Sequence, residues 1–362
     1  MAELSRRGIG RERVELTDLR AVRYLMWAAA GERPRPRLDA ALEREFRRAG
    51  ILISPARTPR DVWLDARLDL APASASSGSG RLDARCVLAR GPYVPPDIAG
   101  GADAREPFLP AEDILWVAAA GARLALPYTL TPRLARAIAR TYGRPQTVLP
   151  PRATAALRRV GAIDDRREAA RRREAWRRQE QSWRRELRRH GAVVLRGLFE
   201  PTFLAAVRAY YQRIEREGYL LVGDARRRGG PLLYDEPFTD FMNGLLAPLV
   251  RRLTGERVSA TFSFLRVYDP GAVLRPHRDR PSCRWNIDLV VGGEPAPSRG
   301  NAWPLQIDGR GGVRSVRLGL GDGVLYRGER VRHWRRAQPR GRTTVLAALH
   351  YGRPGRHSSS AS

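Results

Sequence analysis

Lysine is absent from this chain: its 66 basic residues are all arginine, against 38 acidic ones, for a formal net charge of +28. Asparagine occurs only at Asn243, Asn286 and Asn301, while glycine and proline are plentiful. That bias fits a GC-rich coding sequence, which weakens the charge as a sign of nucleic-acid binding, although the excess still favours anionic partners in general. No RNP, helix-turn-helix or zinc-finger pattern supports a nucleic-acid reading. Two cysteines, Cys86 and Cys283, are too few for a disulfide framework. No run of 18 apolar residues and no basic-then-apolar leader is found, so neither a membrane span nor a secretory signal is expected, and the cytoplasm is the expected home. Histidine is scarce as well, with only His190, His277, His333, His350 and His357.

Two of these five histidines carry the most information. Pro276-His277-Arg278-Asp279 places an imidazole and a carboxylate two residues apart, and Gly321-Asp322-Gly323-Val324-Leu325-Tyr326 leads on to His333. On a β-strand, residues two apart project to the same face, so His333 must arrive from a distant strand. Two imidazoles and one carboxylate are the ligand set that leaves half of an iron coordination sphere open for oxygen and a co-substrate.

The flanking sequence is strand-like. Thr261 to Tyr268 alternates and is rich in β-formers, Asp269-Pro270-Gly271 turns, and His277 opens the next strand. Trp285 to Val291 reads as a strand ended by Gly292-Gly293. Trp303 to Ile307 and Val313 to Leu318 give two more around a turn at Gly309 to Gly312, and Val324 to Tyr326 and Thr343 to Tyr351 complete the set. Short strands at near-regular spacing predict a sandwich, barrel or jelly roll rather than a βαβ fold.

Residues from about 190 to 353, under half of the chain, resemble the double-stranded β-helix domain of the Fe(II)/2-oxoglutarate-dependent dioxygenase superfamily. The order His277-x-Asp279…His333 matches its facial triad, and Gly191 to Phe199 followed by a helix through Tyr210-Tyr211 matches its opening. Pro276 to Arg280 with Cys283, Ala302-Trp303-Pro304-Leu305, Gly321 to Gly328 and Leu349-His350-Tyr351 resemble a poorly characterised bacterial subgroup. The resemblance implies Fe(II) on His277, Asp279 and His333, with 2-oxoglutarate and O2 as co-substrates. It also implies decarboxylation to succinate, coupled to hydroxylation of an unactivated C–H bond. A carboxylate at 279 argues against halogenation. The resemblance further implies a basic residue on the strand after the distal histidine, pairing with the far carboxylate of 2-oxoglutarate. Arg342, at the head of Thr343-Thr344-Val345-Leu346, is expected there, with Arg335, Arg336 and Arg340 competing. Thr344, Tyr268 and Asn286 are the further expected pocket residues.

The expected fold class is therefore α+β: a C-terminal double-stranded β-helix, jelly-roll or cupin-like, with flanking helices, preceded by a mainly helical N-terminal region. Residues 1–165 form that region, with helices predicted after Thr17 (Leu19, Val22, Leu25, Met26), from Leu38 to Gly50, around Glu112 to Ala120, and from Thr131-Pro132 to Gly143. Pro72 to Gly80 and Gly91 to Ala104 read as irregular. Residues 166–190 form a connecting helix without glycine or proline, with Ala169, Trp176, Trp183 and Leu187 on one stripe. Residues 191–353 form the oxygenase domain, and 354–362 a disordered tail.

Arg275, Arg280 and Arg284 crowd the sequence around the metal-binding segment and predict a positive rim. The expected substrate is thus an anionic small molecule or an acidic peptide segment, with nucleic acid not favoured and no membrane partner. Two other readings stand beside this one: a cupin-type metal oxygenase that does not use 2-oxoglutarate, and a non-catalytic jelly roll that binds nucleic acid or an acidic protein. The intact triad opposes the last.

Overall fold

The computed structural model describes residues 62–354, apart from 75–77, 96–97, 99–103, 119–123, 145–146, 217–231, 235 and 282, together with the backbone of two N-terminal strands. The helices predicted after Thr17 and from Leu38, and the tail beyond Pro354, lie outside the described residues. The N-terminal strands, β1 (Ala2–Arg6) and β2 (Ile9–Val14), pair antiparallel. Packing divides the chain into two units, one formed by Pro59–Ser182 with Gly197–Ile214, the other by Trp183–Arg196 and Glu215–Ser362 with Met1–Thr58.

The first unit contains β3 (Arg67–Leu68), β4 (Val87–Arg90), β5 (Tyr93–Val94), β6 (Ala104–Arg105), β7 (Asp113–Ala118) and β8 (Ala125–Leu130), followed by α1 (Pro132–Ala139) and α2 (Pro151–Arg159). Its main sheet runs β3-β8-β7-β4, with β3 parallel to β8 and the other pairs antiparallel. The helix expected around Glu112 to Ala120 is instead the strand β7, so this region is less helical than its sequence suggested. Ile114, Leu115, Trp116 and Val117 are all buried, which a central strand permits on both faces. A helix would have turned part of that run to solvent, forfeiting roughly 1.5–3 kcal/mol for each large side chain. The predicted helix at Thr131-Pro132 is present as α1. The Thr131 side chain accepts from the Leu134 amide, and Gly143 adopts a positive φ of 73° beyond its end.

The connecting helix, α3, spans Arg166–His190 as expected, with Trp183 and Leu187 buried. The strand and helix after it are β9 (Ala192–Leu195) and α4 (Pro201–Arg216). Next come β10 (Leu232–Tyr234) and α5 (Pro237–Thr254), whose first turn is capped by the buried carboxylate of Glu236, accepting from the Phe238 and Thr239 amides at 3.0 and 2.9 Å. Among the described residues no helix is long and apolar enough to cross a membrane.

Eight strands then follow: β11 (Ser259–Tyr268), β12 (Leu274–His277), β13 (Trp285–Gly292), β14 (Leu305–Gly309), β15 (Gly312–Val316), β16 (Gly323–Tyr326), β17 (Arg332–Arg335) and β18 (Thr344–Gly352). They form two antiparallel sheets, a major one ordered β10-β11-β18-β13-β16-β9 and a minor one ordered β12-β17-β14-β15. Consecutive strands thus alternate between the sheets except for the β14–β15 hairpin, which lies within the minor one, the arrangement of a jelly roll. The α+β class with a C-terminal jelly roll is the observed fold.

Alternation along each strand makes the core. Tyr268, Val290, Val324 and Leu346 from the major sheet meet Leu274, Leu305, Ile307 and Val316 from the minor one. The opposite face of the major sheet is equally dry, with Leu265, Ile287, Leu349 and Tyr351 buried. Here α5 covers the sheet, its Asn243 amide donating to the Phe262 carbonyl at 3.0 Å. Continuous apolar runs in β13 and β18 follow from burial on both sides.

Candidate metal centre

His277 and His333 face each other across neighbouring strands of the minor sheet, in register on β12 and β17. His277 closes β12 rather than opening it. Asp279 therefore lies just past the strand, where its amide donates to the Gly328 carbonyl at 2.9 Å. That bond to the turn after β16, rather than strand alternation, brings the carboxylate back beside the histidines. The Nε2 atom of His277 is 3.5 Å from one Asp279 oxygen and that of His333 is 3.7 Å from the other. One ligand atom from each residue falls within 4.8 Å of the others.

Both imidazoles are oriented from behind. The Nδ1 atom of His277 meets the Arg275 carbonyl at 2.8 Å, and that of His333 meets the Val331 carbonyl at 3.0 Å. A carbonyl can only accept, so Nδ1 carries the proton and Nε2 presents its lone pair toward the carboxylate. Burial lowers the pKa of His333. Burial pushes the Asp279 carboxyl upward, but in the acid range where it titrates the histidines are protonated. The hydrogen bond from His277 with the charges of His333, His350 and His277 then outweighs burial and holds the group at about 2. The donor set of two neutral imidazoles and one ionised carboxylate fits a divalent iron and leaves half of the coordination sphere free.

Asn286, on β13, donates its side-chain amide to Asp279. Gly328 is required sterically, because a Cβ there would overlap the Asp279 carboxylate, the Asn286 amide and the Cys283 carbonyl. On either side of it, Arg327 and Glu329 join Arg284 and Glu256 in a four-charge cluster. Arg284 Nε lies 2.5 Å from Glu256, and Arg327 Nη2 lies 2.8 Å from Glu329. Arg284, expected at a positive rim, is thereby neutralised. Arg275 remains exposed, and Arg280, also exposed, lies over the Phe262 ring at 5.5 Å.

The next inward residue on β17 is Arg335, 1 % exposed. Its Nη1 donates to the Trp303 carbonyl at 2.5 Å, its Nη2 lies 3.8 Å from Asp288, and Nε and Nη2 have no hydrogen-bond partner. Arg335 lines one cleft with Trp303, Val290, Gln338, Arg342 and Thr344. Arg342 is half-buried there and donates to the Asn301 carbonyl at 2.8 Å, while Thr344 accepts from Gln338 at 2.8 Å. Tyr268 packs its ring on Trp303 at 4.8 Å. The residues expected from sequence thus fall into two groups, with His277, Asp279, His333 and Asn286 at the centre and Arg342, Thr344 and Tyr268 about the cleft and its Trp303 wall.

Four interior groups were given no site role from sequence. They are Gly328, the buried Asp288 beside Arg335, His350 stacked on Phe262 at 4.2 Å, and Arg266 over Tyr268 at 5.1 Å. The two-residue step from His333 to Arg335 was a usable signal, since it keeps the side chain on the inward face.

No family model and no curated protein matches the chain. Among solved structures it is similar to the non-heme alpha-ketoglutarate-dependent epimerase SnoN from nogalamycin biosynthesis, at 13% identity and a TM-score of 0.41, over 51% of this chain and 90% of that one. It is also similar to a prolyl-4-hydroxylase of Pseudomonas putida, at 17% identity and a TM-score of 0.40, over 49% of this chain and 100% of the other. A third likeness is to EctD from S. alaskensis with 2-oxoglutarate and 5-hydroxyectoine, at 14% identity and a TM-score of 0.37, over 49% and 75% of the two chains. The side chains of the site, more than these partial likenesses, determine what the chain can do.

Proposed function

We propose that the chain is an Fe(II)- and 2-oxoglutarate-dependent dioxygenase that hydroxylates an unactivated C–H bond of an anionic small molecule or peptide segment. The observation that carries this reading is the convergence of the His277 and His333 Nε2 atoms on the Asp279 carboxylate, with both Nδ1 atoms tied to main-chain carbonyls. When bound, iron with 2-oxoglutarate and O2 supplies the oxidant, one oxygen atom going to the substrate and the other to succinate, with release of CO2.

The chain's own residues bind and orient. His277, Asp279 and His333 hold the metal, while Asn286 and Gly328 fix the carboxylate. Arg335 and Arg342 face one cleft from two sides, and either guanidinium fork suits the far carboxylate of 2-oxoglutarate. Arg335 is the stronger anchor, because it is fully buried and keeps unpaired N–H groups. Thr344 adds a hydroxyl to the cleft wall. The Tyr268 and Trp303 rings exclude water from the interior, which strengthens every polar contact made there.

The test is anaerobic Fe(II) titration of the wild type, His277→Ala and Asp279→Ala, followed by measurement of succinate formed from 2-oxoglutarate under air. Wild-type iron binding with succinate release supports the reading. Iron binding without any consumption of 2-oxoglutarate would move the assignment to a metal oxygenase of another kind, and no difference in iron binding between the three proteins would remove it.

A further inference from the structure

Alternation along β11 puts Phe262, Phe264, Arg266 and Tyr268 on one face. Ring contacts show that this face looks into the jelly roll, with Phe262 and Phe264 against His350 and Tyr268 against Trp303. Arg266 is 2 % exposed, its Nε and Nη2 have no hydrogen-bond partner, and no carboxylate of the described residues pairs with it. Its guanidinium lies over the Tyr268 ring, 5.1 Å from the centroid. Three other buried or half-buried arginines of this domain have a carboxylate within 4 Å, Arg335 with Asp288, Arg196 with Asp322 and Arg284 with Glu256. An unanswered guanidinium inside a protein is costly unless something arrives to pair with it.

The co-substrate is already provided for by Arg335 and Arg342. Arg266 does not line their cleft. It lies over Tyr268, Tyr268 packs on Trp303 and Trp303 packs under Arg335, so the two guanidinium groups are linked through two aromatic rings. We propose, resting on the dioxygenase reading, that Arg266 receives a single carboxylate of the substrate to be oxidised. A monoanion matches one lone guanidinium, whereas a phosphate dianion would bring a second charge with nothing to meet it. Phe262, Phe264 and Tyr268 wall the approach, so the rest of the substrate is flat or apolar.

The register also places the charge relative to the reaction. Phe262 stacks on His350, which pairs in register with Asn286, the partner of Asp279. Arg266 lies four residues further along β11, about 13 Å of strand. The substrate therefore carries its carboxylate at the end remote from the carbon that reacts.

The experiment measures calorimetric binding of 4-phenylbutyrate and its neutral amide to the metal-free protein, for the wild type, Arg266→Gln and Arg266→Met. The wild type is expected to prefer the carboxylate by about tenfold or more, and both variants to bind the two probes alike. In anion-poor buffer Arg266→Met is also expected to melt higher than the wild type, because an unpaired charge has been removed. A variant that keeps the preference, or a Met variant that melts lower, overturns the proposal. So does loss of 2-oxoglutarate binding in place of probe discrimination, which would make Arg266 a co-substrate anchor. Because the probes are titrated without metal, absence of iron chemistry would sink the dioxygenase reading while leaving this measurement interpretable.

Discussion

The amide of Asp279 donates to the carbonyl of Gly328 at 2.9 Å, and the Asp279 carboxylate occupies the place where a side chain at 328 would begin. One turn therefore both holds the carboxylate and depends on having no side chain of its own. Gly328→Ala is expected to displace Asp279 and weaken Fe(II) binding by about ten- to a hundredfold, the range seen when groups behind metal ligands are disturbed. Anaerobic iron titration checks this. Unchanged affinity would show that the turn yields without moving the ligand.

Arg335 and Arg342 can be ranked. Truncating a buried partner of a charged hydrogen-bonded pair costs roughly 2–5 kcal/mol, so Arg335→Gln should raise the KM for 2-oxoglutarate well over tenfold. Arg342→Gln, which removes a half-buried group that already has the Asn301 carbonyl, should raise it less. The opposite order in steady-state kinetics would return the anchor to Arg342.

Glu329 sits next to Gly328 and meets Arg327 at 2.8 Å and Arg284 at 3.4 Å. Glu329→Gln should loosen the turn and weaken iron binding by a factor of about three to ten, less than a direct clash, with the deficit growing in low salt where the wild-type cluster is strongest. Iron affinity measured across an ionic-strength series decides it, and parallel curves for the two proteins would exclude a role for the cluster.

His350 gives the metal-free protein an acid limit. Burial holds its pKa at about 4, below an ordinary 6.5, so between these values the unfolded chain takes up a proton that the folded chain refuses. Stability is full above pH 6.5 and falls as the pH drops toward 4, by up to a few kcal/mol at about 1.4 kcal/mol per unit. Urea unfolding across that window should show the slope, and His350→Gln should flatten it. A slope that persists in the variant would assign the transition to other groups.

Much of the C-terminal domain was legible because period-two patterning, turn residues and a scarce residue type coincide there. With only five histidines in the chain, His277 and His333 stood out. β11, β13, β14, β15, β16 and β18 were found to within a residue or two, whereas β12 was placed after His277 instead of before it and β17 was given no bounds. β7 was misread as a helix, since Ile114 to Val117 is too short and too uniformly apolar for periodicity to separate a strand from a buried helix. Arginine was the opposite of histidine: among 66 residues of one type Arg266 did not stand out at all, and Arg335 appeared only as one competitor among several for the co-substrate anchor. Only the register of β11 and β17 sets them apart from arginines in solvent. The place of Asp279, set by a main-chain bond to a turn 49 residues later, likewise has no local signature.

The choice of arginine inside the barrel has a consequence for handling the protein. A buried lysine can shed its proton and go neutral, but a guanidinium keeps its charge at any accessible pH. The buried Arg266 therefore cannot relax by titration, and small buffer anions such as chloride or formate can serve as its counter-charge. The melting temperature should track the identity and concentration of the anion in the buffer, following the usual logarithmic dependence on ligand concentration. Two preparations at one pH but in different salts would then behave as though they were different proteins.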